Sequence, residues 1–522
     1  VAATIGRQFS IPLLQQAGDA DEEGLARDLD ELWRRRIVRE RGLDAYDFSH
    51  DKLRETAYTT LSPARRRLLH HRVAEALESI HEADLDPVGR QIAAHYRRAG
   101  RHAQAISYYL RAGQVASRIY AQDEAIAAFE RALALLETET RDAPLSPGRS
   151  QVAAHSQMAA RCHEGLGDVL APNQAGAARR AYADALQEIP KEDLLARARL
   201  HRKTARTWWP EGEHEKALQA VHRALAILGP EPTVPDAAWW NEWGQIQELR
   251  SLVCYYSARM QELDETIIEL QRGLEHYATR RQQFLVVQAI GAARLRRDRF
   301  VVSDWALAQI PTLADEIRTS GDLDTYTRIL FNWGFGLLLH GDLEGAEEHL
   351  QESLALAERT GHLVHQTWNL TQLSILYRRR GDAEATREYA LRCLQVALSA
   401  QQLENAAVAR GNLAWIAWRE GNLAEVEEQG RAALDLWRTS PFVYAFHWTA
   451  LLPLLAVAME KDALVEALGH ARALLHAQQQ KLPDPLEAAL KAAVQAGDDE
   501  GAEAAADHLE RVIRVAQENG YL

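Results

Sequence analysis

The sequence predicts an all-α protein: a superhelix of stacked helical hairpins, preceded by a small domain of short helices and one two-stranded hairpin. Three features point there. Gly341-Asp342, Gly381-Asp382 and Gly421-Asn422 recur 40 residues apart, each closing one apolar helical run and opening another. After each glycine come residues at steps of five, four and three: Ala346, Leu350, Ser353; Thr386, Ala390, Cys393; Val426, Gly430, Ala433. Steps of four and three stay on one helical face, so these positions form the buried seam of the second helix of each hairpin. The first eighty residues lack this period. There Ile37-Val-Arg-Glu-Arg-Gly-Leu-Asp-Ala-Tyr-Asp-Phe48 reads as two short strands around a Gly-Leu-Asp turn.

Composition narrows the function classes. In 522 residues, 47% are hydrophobic and 26% charged, which excludes wholesale disorder. No apolar stretch approaches the roughly 18 residues of a membrane span. Cys162, Cys254 and Cys393 are far apart, which excludes a zinc ribbon or disulfide scaffold and suits a reducing cytoplasm. The net charge of −14 opposes broad coating of nucleic acid. The opening Val1-Ala2-Ala3-Thr4 is no signal peptide, and without an initiator Met the chain is expected to be a piece of something longer.

At the N-terminus, residues 8–17 and 21–36 read as helices, the second opening at Asp21 with acids in its first turn. After the hairpin, Ser49 is the expected N-cap of a helix over 50–60, and Pro63 opens another over 64–81. Helices followed by a two-stranded wing make a winged helix, residues 1–81. Residues 82–141 then supply a helical linker and first repeat helices, and 148–522 the superhelix. Turn-rich breaks are expected at Asp142–Gly148 and Gly229–Pro235. The repeat frame also fits Gly100, Ala105, Tyr109, Ala112 and Gly212, Ala217, Val221, Ala224, with Ile92, Ala93, Tyr96 and Thr204, Ala205, Trp208 on the preceding helices.

The small–large alternation resembles the tetratricopeptide repeat, whose antiparallel helix pairs stack into a right-handed superhelix. The period here exceeds that family's 34 residues, so longer helices are expected, similar to the repeats of the bacterial maltose-regulon activator class. The run Phe48-Ser49-His50-Asp51-Lys-Leu-Arg-Glu-Thr-Ala-Tyr58, followed by Arg65-Arg-Arg-Leu-Leu-His70 through Glu78, resembles the end of a STAND ATPase module (signal transduction ATPases with numerous domains). The resemblance implies an upstream ATPase in cis that binds ADP or ATP, and self-association on activation. It also implies that His50 and Asp51 occupy the family's nucleotide-sensing pair, the histidine reaching the β-phosphate of ADP. A histidine at a helix N-terminus can serve a phosphate in this way. Equally, it can cap its own helix or pack against the wing.

No GxxxxGK[ST] loop occurs, so this chain is expected to hold no cofactor and to hydrolyse no ATP. No metal site is expected either: His70-His71 point to different helix faces, and Cys162-His163-Glu164 lacks further ligands. Gly334-Phe335-Gly336 falls inside a repeat helix.

In tetratricopeptide superhelices the first helix of each pair lines the concave groove. In this frame the ligand or partner positions are Arg199, Arg202, Arg206 and Trp209; Arg328; Trp368, Arg378 and Arg379; and Trp415, Trp418 and Arg419. Guanidiniums beside indoles suit an anionic inducer or a carboxylate- or phosphate-bearing peptide. The competing assignment is core filling for each tryptophan and an ion pair to the adjacent helix for each arginine. The function expected is that of a signal sensor within a STAND-type, transcriptional regulator, the repeats binding a small inducer or a protein and the winged helix relaying the event. A plain interaction scaffold is the first alternative. DNA reading by the winged helix through Arg34, Arg35, Arg36 and Arg39, with Arg65, Arg66 and Arg67, is the second, disfavoured by Asp21, Glu22, Glu23, Asp28, Asp30 and Glu31 nearby.

Overall fold

The computed structural model describes all residues other than 19–20, 43, 120, 143–148, 210, 235, 274–279, 303, 309 and 321. It is a helical-repeat protein with one small three-stranded sheet near the N-terminus. Its contacts divide into two compact units: unit 1 is Val1–Pro210 with Gln219–Gly229, and unit 2 is Glu211–Leu218 with Pro230–Leu522. The break expected within 142–148 falls outside the described residues but for Asp142, and Pro235 of the second break likewise. Among the described residues, no helix is long and apolar enough to cross a membrane.

Unit 1 opens with the Ala2–Ile5 helix, strand β1 (Gln8–Ser10), the Ile11–Ala17 and Glu22–Arg34 helices, then strands β2 (Val38–Glu40) and β3 (Ala45–Phe48). The strand order is β1-β3-β2, both pairs antiparallel, with Phe9 opposite Tyr46 and Arg39 opposite Asp47. The hairpin expected over 37–48 forms as β2 and β3, while β1 adds a third strand to it and corrects the expected single helix over 8–17. Ser10 caps the Ile11–Ala17 helix, its Oγ accepting from Leu13 N at 3.4 Å, so the helix starts after it and residues 8–10 pair as a strand. That strand buries Phe9 against Tyr46 and Phe48, with ring centroids 6.2 and 5.6 Å away. Asp21 caps its helix as expected, accepting from Gly24 N at 2.7 Å. The next cap differs: His50, not Ser49, precedes the Asp51–Thr59 helix, because Ser49 N is committed to Ile37 O across the hairpin at 2.9 Å. The Pro63–Ile80 helix begins at its proline, with Ser62 Oγ accepting from Arg65 N at 3.3 Å.

Helical hairpins follow. His70 of the Pro63–Ile80 helix and His95 of the Gly89–Ala99 helix meet Nδ1 to Nδ1 at 2.9 Å, and the Tyr58 hydroxyl meets His70 Nε2 at 2.9 Å. One imidazole must donate and the other accept, so the bond requires the accepting ring to be neutral, and burial disfavours charge on either. Burial, helped by His95 and Arg98, lowers His70 to about 3, and burial with Arg98 lowers His95 to about 4. These folded-state values lie below the unfolded value of 6.5, so the unfolded chain binds more protons as the pH falls. The stabilisation is complete above about pH 6.5 and is lost on acidification toward pH 4. The loss should amount to on the order of 4 kcal/mol for the pair by pH 5. Thermal midpoints measured from pH 7 to 4.5 should therefore fall more steeply for the wild type than for His95→Phe; parallel profiles would refute the assignment.

Further along, Phe129 of the Gln122–Asp142 helix lies between Gly113 and Gly165, where an added Cβ would come within 2.6 and 2.5 Å of its ring. Those glycines let the His102–Arg118 and Arg149–Leu170 helices close on one aromatic wedge.

In unit 2 the paired helices are Leu323–His340 with Leu343–Thr360, Leu363–Arg379 with Ala383–Ser399, Leu403–Arg419 with Leu423–Thr439, Trp448–Glu460 with Leu464–Leu474, and Asp484–Glu500 with Ala506–Glu518. The Gly-Asp/Asn punctuation has a direct cause. Gly341, Gly381 and Gly421 take φ of 104°, 75° and 73°, left-handed values that favour glycine at a helix end. The following Asp342, Asp382 and Asn422 cap the next helix, accepting from Gly345, Ala385 and Glu425 N. In the central repeat two 17-residue helices, each followed by a three-residue link, give the period of 40. All nine seam residues expected from the sequence are buried.

Two non-helical stretches pack inside unit 2. Val443 N donates to Tyr256 O at 2.9 Å, Gln480 N to Ala445 O at 2.9 Å, and Lys481 N to Arg299 O at 2.8 Å. The Leu363–Arg379 and Leu403–Arg419 helices are consequently buried on most sides. Their buried polar groups pair with one another, Thr371 Oγ1 with Asn405 Oδ1 at 3.1 Å and Asn412 Nδ2 with Ser374 Oγ at 2.8 Å, and with the Leu343–Thr360 helix, Asn369 Nδ2 with Ser353 Oγ at 2.9 Å.

Candidate functional site

Unit 1 contains an open groove of about 1160 Å³ between the His102–Arg118, Arg149–Leu170 and Leu194–Trp208 helices. A shallower hollow of about 460 Å³ shares Ala153, Ser156 and Ile189 with it. The groove wall from the Arg149–Leu170 helix alternates small residues (Ala153, Ala160, Gly165) with Gln157, Arg161, Glu164 and Asp168. The small residues bring backbone close to the groove surface, and the polar ones are spaced four, three and four apart on one face.

The floor is an ion-pair network. Arg199 grips Glu164 through two bonds, Nε to Oε1 at 2.8 Å and Nη2 to Oε2 at 3.1 Å. Lys203 Nζ lies 2.7 Å from both Glu164 Oε1 and Asp168 Oδ2. Burial would push the Glu164 carboxyl up, but the Arg199 and Lys203 bonds outweigh it, and its pKa lies below the ordinary value. The Tyr182 hydroxyl donates to Asp168 at 2.9 Å. Arg161 is exposed on the wall.

Of the four expected ligand positions on this part of the chain, Arg199 lines the groove, already paired to the adjacent helix. Arg202 is 7% exposed and sits beside Tyr182, so it does not form an open anion cradle with Arg199. Although Arg202 shares a helix face with Arg199, the neighbouring Ala175–Glu188 helix, through Tyr182, covers it. Arg206 is exposed and Trp209 half-buried past the helix end. Trp208 packs under Arg179, whose guanidinium carbon is 3.5 Å from the ring centroid.

The unit 2 positions are equally dispersed. Arg328 is half-buried. Trp368 is half-buried against Phe331 and His365, at centroid distances of 5.5 and 5.3 Å. Arg378 and Trp415 are 0% and 1% exposed, which corrects their assignment to an open groove: each is enclosed by neighbouring helices. Arg379 is half-buried over Tyr521 at 4.7 Å, and Trp418 is half-buried. Arg419 is exposed, 5.3 Å from the Trp415 ring, with Nη1 3.5 Å from Gly381 O.

At the N-terminus His50 is exposed, with no side-chain bond into its own helix end. Asp51 Oδ2 accepts from Arg7 Nη1 at 3.3 Å. The arginines of the DNA alternative are partly neutralised: Arg34 pairs with Asp30 at 3.1 Å, Arg35 with Glu31 at 2.5 Å, and Arg39 with buried Asp47 at 3.0 Å.

No family model matches the chain, and no curated protein matches it. Among solved structures it is similar to a STAND protein with a tetratricopeptide repeat sensor from Pyrococcus horikoshii, at 14% identity over 94% of this chain and a TM-score of 0.39. The chain spans 63% of that protein's length. It is also similar to a Rap protein complexed with Competence and Sporulation Factor (14% identity, 79% of this chain, 98% of that one, TM-score 0.45). A third is the quorum sensor NprR from B. thuringiensis (14% identity, 64% of this chain, 82% of that one, TM-score 0.41). Similarity at this level transfers neither partner nor activity to this chain.

Proposed function

We propose that this chain is the sensing part of a STAND-type signalling regulator, with its hairpin repeats taking up a peptide or protein segment. The observation that carries the proposal is the unit 1 groove. Its volume exceeds the 300–1,000 Å³ common for small-molecule sites. Its wall of small residues, amides and charges of both signs suits an extended chain with its own backbone donors and acceptors. Residues 1–81 then act as a winged helix. The order helix–strand–helix–helix–strand–strand with sheet order β1-β3-β2 supports that part, as does exposed His50 at the start of its helix. In the longer protein His50 would donate to a nucleotide phosphate oxygen supplied by an ATPase in cis, and a segment seated in the groove would favour one of two states of that assembly. A cytoplasmic location accords with three free, buried cysteines.

Fluorescence anisotropy with labelled ten-residue peptides of mixed charge tests the groove. Arg161→Glu, which reverses an exposed wall charge, should weaken the best peptide at least tenfold. Arg202→Glu is unsuitable as the probe because it would bury a carboxylate. Undiminished binding by Arg161→Glu would remove the groove from the proposal. Tight, salt-dependent binding of duplex DNA by the same chain would put the DNA-reading alternative in its place.

A further inference from the structure

Unit 2 holds a second feature, distinct from the groove and independent of how that groove is used. Arg296, near the end of the Arg280–Arg297 helix, is 4% exposed. Among the described residues, its buried Nε and Nη2 have no hydrogen-bond partner, and it forms no ion pair with a carboxylate. Two of the three guanidinium nitrogens have thus lost water without regaining bonds, which is unfavourable unless an anion completes the site. Burial accordingly lowers its pKa from the ordinary value.

The surroundings are aromatic. The Arg296 guanidinium carbon is 5.8 Å from the Tyr255 ring centroid and 5.7 Å from that of Phe300. Phe300 packs edge-on to Phe446 at 5.1 Å, and Phe446 lies 6.2 Å from Phe335. Tyr255 and Phe335 are only half-buried, so the aromatic wall retains accessible surface beside the enclosed cation. Tyr256 is also at hand, its phenol pushed up by burial, and so is His447. Burial, with His476 and Arg296 nearby, lowers it to about 4, so it is neutral at pH 7 and adds no second charge.

We propose that the interior of unit 2 at Arg296 binds a small organic acid with an aromatic body, its carboxylate accepting from Arg296 and its ring lying against Tyr255, Phe300 and Phe335. Arg is suited to this because its planar donors match a carboxylate, and the rings beside it exclude water and strengthen the pair.

Phenylacetate and its neutral analogue phenylacetamide serve as probes on the whole chain, read by isothermal titration calorimetry and by the thermal midpoint. Phenylacetate should bind and raise the midpoint, and the amide should bind at least tenfold more weakly. Arg296→Met should lose phenylacetate binding at least tenfold, while its own ligand-free midpoint stays level or rises, because it removes an unpaired buried charge. No binding of phenylacetate, equal binding of the amide, or undiminished binding by Arg296→Met would each overturn the proposal. A ligand-free midpoint that drops in Arg296→Met would mark the arginine as structural and overturn it as well.

Discussion

Arg378→Ala should lower the stability of unit 2 by about 3–5 kcal/mol. Arg378 is fully buried and burial drives its pKa well below the ordinary value, yet none of its hydrogen-bond partners is a carboxylate. Instead Nη1 donates to Thr449 O at 2.7 Å and Asn412 Oδ1 at 3.1 Å, and Nη2 donates to Tyr521 O at 2.7 Å. The Trp448 and Trp415 ring centroids lie 4.9 and 5.5 Å from the guanidinium carbon. Carbonyl dipoles and ring faces thus hold the charge, and alanine would strand several buried acceptors at about 1–3 kcal/mol each. Arg378→Met restores volume but no donors, so it should recover less than half of the loss. Urea unfolding of the whole chain followed by tryptophan fluorescence is a suitable readout, since ten of the thirteen tryptophans lie in unit 2. A midpoint change equivalent to less than about 1 kcal/mol, with the slope unchanged, would sink this account.

Gly411→Val should be comparably severe, costing about 3 kcal/mol or more, at or above the upper end of ordinary overpacking. A Cβ at Gly411 would meet Thr449 Oγ1 at 2.6 Å, Thr449 C at 2.9 Å and Ala450 N at 3.0 Å. Two of those atoms are main chain and cannot rotate away, so the Leu403–Arg419 and Trp448–Glu460 helices would have to separate. Gly411→Ala should fall between wild type and valine. Because Arg378 also bonds to Thr449, the Arg378→Ala/Gly411→Val double variant should lose less than the two single losses added together. Strict additivity would show that the two residues do not share a junction.

The repeats were legible because their signals are local. A left-handed glycine, a capping Asp or Asn and a seam at steps of four and three are each written in a few consecutive residues, and all recur at Gly341, Gly381 and Gly421. β1 was less legible: three residues ending at a capping serine carry too little alternation, and only pairing with β3 makes them a strand. The groove suffered from a different difficulty. Arg199, Arg202 and Arg206 share a face by spacing, but which of them meets open space depends on how closely the neighbouring helix packs. Glu164, which claims Arg199, lies 35 residues away in sequence. The run Gln157, Arg161, Glu164 and Asp168 did carry a readable signal, one polar face interleaved with alanine and glycine, and it marks the groove better than the arginines alone. Arg378 and Arg296 look alike in sequence, as arginines near helix ends. Only tertiary packing separates a guanidinium whose two Nη groups meet carbonyl oxygens, as in Arg378, from one whose Nη2 and Nε meet none, as in Arg296.

Stacked helical repeats ordinarily behave as a one-dimensional array, each unit coupled only to its neighbours and able to fray from an end. Arg378 departs from that scheme, because its bonds reach residues 34, 71 and 143 positions away. Excising or exchanging a single hairpin of unit 2 would therefore break ties well beyond the adjoining repeats. Such a molecule gives up modularity: its hairpins are not interchangeable parts, and the segment from Leu363 to Tyr521 should be gained or lost in evolution as one block.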